Sequence, residues 1–173
     1  MLVVVGVGNS MAGDDSIGLA LAEALDKLEE IHSLIRVEIV GNRLLDLMPL
    51  ICSEPDSEKI LVVDSAHIEQ SCVLLRITPD SEHLHDVRAS HDISLIQVLQ
   101  ICASLCPREI YLLLVKGERF DIGTSCISSE SAQRGAYCLT EALRTVLGEH
   151  LDYDLLRHRI NSLLLPYLCS ESS

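Results

Sequence analysis

Aromatic side chains are nearly missing from this sequence: one Phe, four Tyr and no Trp make 3% of 173 residues. Leu, Ile, Val and Ala must therefore fill whatever core it forms, within a hydrophobic content of 48%. Basic residues are scarce as well. Lys and Arg total 13 against 26 Asp and Glu, a formal net charge of −13, which argues against sequence-blind binding to nucleic acid or to an anionic membrane surface. No apolar run approaches the roughly 20 residues of a membrane span. Met1 leads straight into an apolar stretch, not into a signal peptide. The seven cysteines (Cys52, Cys72, Cys102, Cys106, Cys126, Cys138 and Cys169) form no C-x-x-C pair, and their number is odd. Most lie in apolar runs, where free cysteine acts as a small hydrophobe, so a reduced, cytoplasmic setting is expected. Cys102 and Cys106 lie a turn apart, but Ala103 and Leu105 mark that stretch as core-facing, not as a metal pair. Also absent are an H-E-x-x-H helix and a Ser–His or Cys–His arrangement with a supporting acid.

What is present centres on residues 2–18, LVVVGVGNSMAGDDSIG. Residues 2–5 are a short β-branched run that suits a strand buried on both faces. Gly6 and Gly8 break it, and Ile17, Leu21, Ala24, Leu25 and Leu28 then recur at helical spacing. Strand, glycine turn and helix open an α/β sheet, whose ligands bind beyond the carboxyl ends of the strands. A dinucleotide turn would need a third glycine where Met11 stands, and Asp14 and Asp15 would repel a pyrophosphate at the helix amides. Either aspartate suits an N-cap. Equally, one caps while the other points into the crevice as a ligand.

Along the chain, helix is predicted to about residues 31–33, strand over 35–40, a short apolar helix over 44–51 and strand over 59–63. A strand at 72–78 arrives too soon for a crossover helix, so an edge or hairpin placement and a mixed sheet are expected. Residues 79–91 form a long polar segment bearing His83, His85 and His91, of a length that is usually functional. A helix over 92–106, a strand over 109–115 and a helix over 129–147 follow. The expectation is a three-layer αβα fold with a mostly parallel, mixed five-stranded sheet. Residues 1–150 form the core of a single domain, and 151–168 an extra C-terminal helix that serves as a lid or a partner contact.

This topology brings Asp15, Asp64 and His91 to one edge. Two carboxylates and an imidazole suit a divalent transition metal with open positions, unlike a closed structural zinc site. Each has a plainer reading. Asp64 at a strand end can accept turn amides, His91 can be a solvated loop histidine, and Asp92 is better explained as an N-cap. His67 is kept only as an outer residue.

Residues 6–18, GVGNSMAGDDSIG, closely resemble the opening signature of the hydrogenase maturation endopeptidases, which remove a C-terminal extension from the nickel–iron hydrogenase large-subunit precursor. The resemblance extends to Val62-Val63-Asp64-Ser65-Ala66 and to Ser90-His91-Asp92, and covers about residues 2–147. It implies that Asp15, Asp64 and His91 are the catalytic, nickel-binding residues. The nickel is expected to arrive on the substrate, with no permanently bound cofactor, and the class is an aspartic-type or metal-dependent peptidase. The implied partner is the nickel-loaded precursor, met by a monomer. Gly41-Asn42-Arg43 departs from the family's glycine pair followed by Thr or Ser, and brings a charge near the crevice. A non-proteolytic metal-handling or assembly protein is the alternative.

Overall fold

The computed structural model describes residues 1–53, 59–80 and 93–170. Its centre is a five-stranded sheet of order β2-β1-β3-β5-β4, with β1 Leu2–Val7, β2 Ile35–Gly41, β3 Lys59–Ala66, β4 Cys72–Ile77 and β5 Glu109–Lys116. β1 pairs in parallel with β2 and β3, and β3 pairs in parallel with β5. β4 runs antiparallel to β5 at the edge. β1 is buried along its whole length, as its unbroken apolar run requires of a strand covered on both faces.

Helices α1 (Ile17–Asp26), α4 (Ser129–Leu147) and α5 (Tyr153–Leu164) cover one face, and α2 (Leu47–Ser53) and α3 (Ile93–Leu105) the other. The result is the expected three-layer fold with a mixed sheet. In α4 the buried residues Ala132, Gly135, Ala136, Leu139, Ala142, Leu143 and Val146 repeat at helical spacing. The helix opens on Ser128, whose hydroxyl accepts the Ser131 amide, and closes on Gly148 at φ 79°.

Three details differ from expectation, and for β4 the structure decides between the two placements expected. α1 stops at Asp26, because Leu28 leaves helical backbone at φ −97°, ψ 86°, and a 3₁₀ turn at Glu29–Ile31 carries Ile31 into the core instead. β3 outlasts its apolar run, since pairing with β5 continues through Asp64, Ser65 and Ala66. β4 pairs with β5 and not with β3, so the early strand is an edge but not a hairpin partner of β3. Residues of α5 are no appendage: Tyr153, Leu156, Ile160 and Leu164 pack into the same core cluster as α1 and α4.

The cysteine reading is corrected. Cys52–Cys106, Cys72–Cys138 and Cys126–Cys169 are disulfides with Cα separations of 5.5, 6.0 and 4.8 Å, within the range such a bond spans. The expectation of a reduced setting rested on the lack of local pairs, and these partners lie 54, 66 and 43 residues apart. Cys102 is the one unpaired cysteine, buried as expected, and burial pushes its thiol pKa up. It shares no metal with Cys106, whose sulfur is taken by Cys52. Among the described residues no helix is long and apolar enough to cross a membrane.

Gly18 shows how tightly α1 sits on the sheet. A Cβ there would lie 2.3 Å from the Val7 carbonyl oxygen and 2.4 Å from that of Val63. Both are backbone atoms of neighbouring strands, so the helix itself would have to move. Gly18→Ala is expected to cost about 3 kcal/mol, read as a lowered urea midpoint; an unchanged midpoint would contradict this packing.

Candidate active site

Every carboxyl end of the parallel strands points to one edge, and the turn after β1 builds the floor there. Gly8 has φ 144°, and a Cβ on it would lie 2.1 Å from the carbonyl oxygen of Asp15. Glycine lets the chain fold back so that the Asn9 amide donates to that oxygen at 3.3 Å. The Asn9 side chain accepts the Met11 amide at 3.0 Å, closing the turn. A 3₁₀ turn, Gly13–Ser16, then carries the two aspartates into α1.

Asp15 is 1% exposed and Asp64 fully buried. Ser65 joins them: its hydroxyl donates to Asp15 Oδ1 at 3.1 Å, and its amide donates to Asp64 Oδ1 at 2.8 Å. Two predicted site residues, 49 positions apart in sequence (64 − 15), thus meet through one serine. Ser65 itself was not singled out by the sequence. Its only sign was its place directly after the strand-end aspartate. A cation held against both carboxylates would offset the cost of burying two negative groups. His91 lies outside the described residues, as do His83, His85 and Asp92. Among the described residues no three His, Cys, Asp or Glu side chains form a metal-holding group. His67 is exposed, and its ring centroid lies 4.0 Å from that of Phe120. Arg43 is exposed and paired with Asp46 at 3.0 Å, so its charge is met locally on the surface.

Asp14 does something the sequence does not signal. It caps nothing in α1, whose N-cap Ser16 makes no side-chain capping bond and instead donates its hydroxyl to the Gly13 carbonyl at 2.8 Å. Its buried carboxylate instead crosses to the far end of the chain. Oδ2 accepts the amides of Glu118 (2.8 Å) and Arg119 (3.1 Å) and the hydroxyls of Ser128 (3.2 Å) and Ser131 (2.7 Å). Oδ1 accepts the Ser128 amide at 2.9 Å. The charge therefore sits at the positive end of α4, not of α1. Backbone bonds tighten the same seam, from Asp14 to the Arg119 carbonyl at 2.6 Å and from Gly13 to the Thr124 carbonyl at 2.8 Å.

Burial alone pushes the Asp14 carboxyl up, but the donors from Ser128, Glu118, Ser131 and Arg119 outweigh it and leave the pKa below the ordinary 3.8. The folded value is the lower one. Its contribution to stability is therefore complete above about pH 4 and is lost as acid carries the pH down through the folded value. Asp14→Asn is expected to be less stable at neutral pH and to show a flatter stability profile below about pH 4. Parallel acid profiles for the two proteins, followed by circular dichroism, would contradict this.

No protein-family model matches the chain, and no curated protein matches its sequence. Solved structures match its fold. By layers and site this is an α/β protein with an acidic centre at the carboxyl edge of a mixed sheet. A nickel–iron hydrogenase maturation protease, HybD from Thermococcus kodakarensis, superposes with a TM-score of 0.66 at 19% identity, covering 83% of this chain and 97% of that one. HycI of the same organism gives 0.63 at 20% identity over 86% and 90%. The Escherichia coli hydrogenase maturating endopeptidase HybD gives 0.59 at 18% over 86% and 93%. The chain has the three-layer α/β fold of the hydrogenase maturation proteases.

Proposed function

We propose that this protein is an endopeptidase that removes the C-terminal extension of a nickel–iron hydrogenase large-subunit precursor once nickel has been inserted. The observation that carries the reading is the junction of Asp15 and Asp64 through Ser65 at the carboxyl edge of the sheet. These are two of the three positions that match the family's nickel-binding residues, in a chain with that family's fold.

The nickel belongs to the substrate. Asp15 and Asp64 offer oxygen ligands and His91 an imidazole, a mixed set that takes a divalent transition ion without closing its coordination. Gripping that ion docks the precursor and makes loading a condition of cleavage. The three side chains would then lie on the reacting complex, and the ion, if it also took part in the chemistry, would supply polarisation of a nearby carbonyl. Water then adds across one peptide bond, giving a new carboxyl end and a released peptide. The protein works as a monomer on its much larger partner.

The test is the intact mass of the cognate precursor, nickel-loaded and nickel-free, after incubation with the protein. Loss of a C-terminal peptide from the loaded form alone is the expected result. Cleavage of both forms would keep the peptidase and remove nickel recognition from its mechanism. Binding without cleavage of either would make the protein an assembly factor, the reading that its altered Gly41-Asn42-Arg43 loop would then favour.

A further inference from the structure

Asp14 is spent on no helix cap and has no place in the proposed nickel grip, yet its buried carboxylate accepts five hydrogen bonds. We infer that Asp14 is a positioning residue: its buried carboxylate locks the turn carrying Asp15 to the segment that borders Asp64, and so fixes the spacing of the two nickel-gripping carboxylates. The inference rests on the proposed function and adds a residue to it.

The connections run in both directions from Asp14. On one side Asp15 follows it within the same 3₁₀ turn, so a rotation of that turn moves both residues. On the other side Glu118 and Arg119, whose amides Asp14 accepts, belong to the loop leaving β5. That loop is anchored to the end of β3. The Gly117 amide donates to the Ala66 carbonyl at 3.1 Å, and Phe120 lies against His67. Asp64 and Ser65 immediately precede Ala66 on β3. Asp14 thus spans the gap between the Asp15 turn and the end of β3, while Ser128 and Ser131 hold it to the start of α4.

Neutral replacements cannot keep this arrangement. Every contact to the Asp14 carboxylate is a donor, five in number across its two oxygens. Asparagine would bring a donor of its own into that ring and leave at least one buried group facing another donor. The turn must then shift. A shift of about 1 Å in a positioned group is enough to cost on the order of 10²-fold in rate without changing what the site binds.

The experiment uses the full-length protein, Asp14→Asn and Ser131→Ala, at a temperature well below the melting point of each. Ser131→Ala removes one donor, at 2.7 Å, on α4, leaves the other four donors to Asp14 in place, and has its folding checked by circular dichroism. Two quantities are measured: kcat and KM on the nickel-loaded precursor, and nickel affinity of the protein alone by calorimetry. The expected result is a kcat lowered about 10-fold in Ser131→Ala and about 100-fold in Asp14→Asn. Nickel affinity should weaken in the same order, and KM should rise with it, because the same grip docks the precursor. A purely structural role would lower the melting temperature and leave kcat and nickel affinity at wild-type values, and that result overturns the inference. A wild-type protein that binds nickel but cleaves nothing overturns the peptidase reading alone, with the nickel affinities of the variants still deciding the role of Asp14. A wild type that does neither overturns both.

Discussion

Reduced without denaturant, the protein is expected to lose on the order of 10–50 °C of melting temperature. A bridge over loops of this size contributes about 2–4 kcal/mol, and for a chain of this length each kcal/mol moves the midpoint by about 2–4 °C. The three bridges, of 54, 66 and 43 residues' separation, interleave along the chain and each joins different elements. Cys52–Cys106 ties the ends of α2 and α3, Cys72–Cys138 ties β4 to α4, and Cys126–Cys169 ties the C-terminal segment to the approach to α4. Such cross-links act mainly by restricting the unfolded chain, so their loss should show first as lowered stability, with native secondary structure kept at low temperature. Calorimetry with and without a phosphine reductant reads the shift. Alkylation after unfolding, followed by mass, gives the thiol count: one for the oxidised protein, from Cys102, and seven after reduction. Seven reactive thiols in unreduced protein would contradict the pairing.

The second large effect is on cleavage. Asp15→Asn and Asp64→Asn are each expected to lower processing of nickel-loaded precursor by at least about 10²-fold, since even residues that only support metal ligands are worth 10- to 100-fold. Both side chains are buried and asparagine is nearly the same size, so the variants should fold, with melting temperatures within about 5 °C of the parent. The double variant separates two accounts. If both carboxylates grip one ion, removing the second after the first costs little more, because groups that act as a unit are not additive. Independent roles would multiply the two losses. Retention of more than a tenth of wild-type cleavage by either single variant would place that aspartate outside the grip.

Much of this architecture could be read in the chain. β-Branched runs marked β1, β2, β3 and β5, helical spacing marked α1 and α4, and the crowding of β4 behind β3 revealed an edge strand. Asp15 and Asp64 were legible because a strand, a glycine turn and a second strand deliver them to the same edge. What was illegible was long-range. Asp14 looked like a local cap because caps are local signals, whereas its partners sit 104 to 117 residues further on. The three disulfides were hidden for the same reason. Ser65 escaped notice because the apolar run ended at Val63 and the strand continued without it, held by β5. α5 looked peripheral because it follows a helix that closes the sheet, but its Tyr153, Leu156, Ile160 and Leu164 complete the core between α1 and α4.

The most direct test of the nickel grip is a crystal structure of the protein grown with excess nickel, the ion located by anomalous scattering. The account predicts one ion at the carboxyl edge, about 2.1 Å from an oxygen of Asp15, an oxygen of Asp64 and a nitrogen of His91, with at least one coordination position open. Nickel bound elsewhere, at His67 or another surface histidine, with no ion at Asp15 and Asp64, would contradict it.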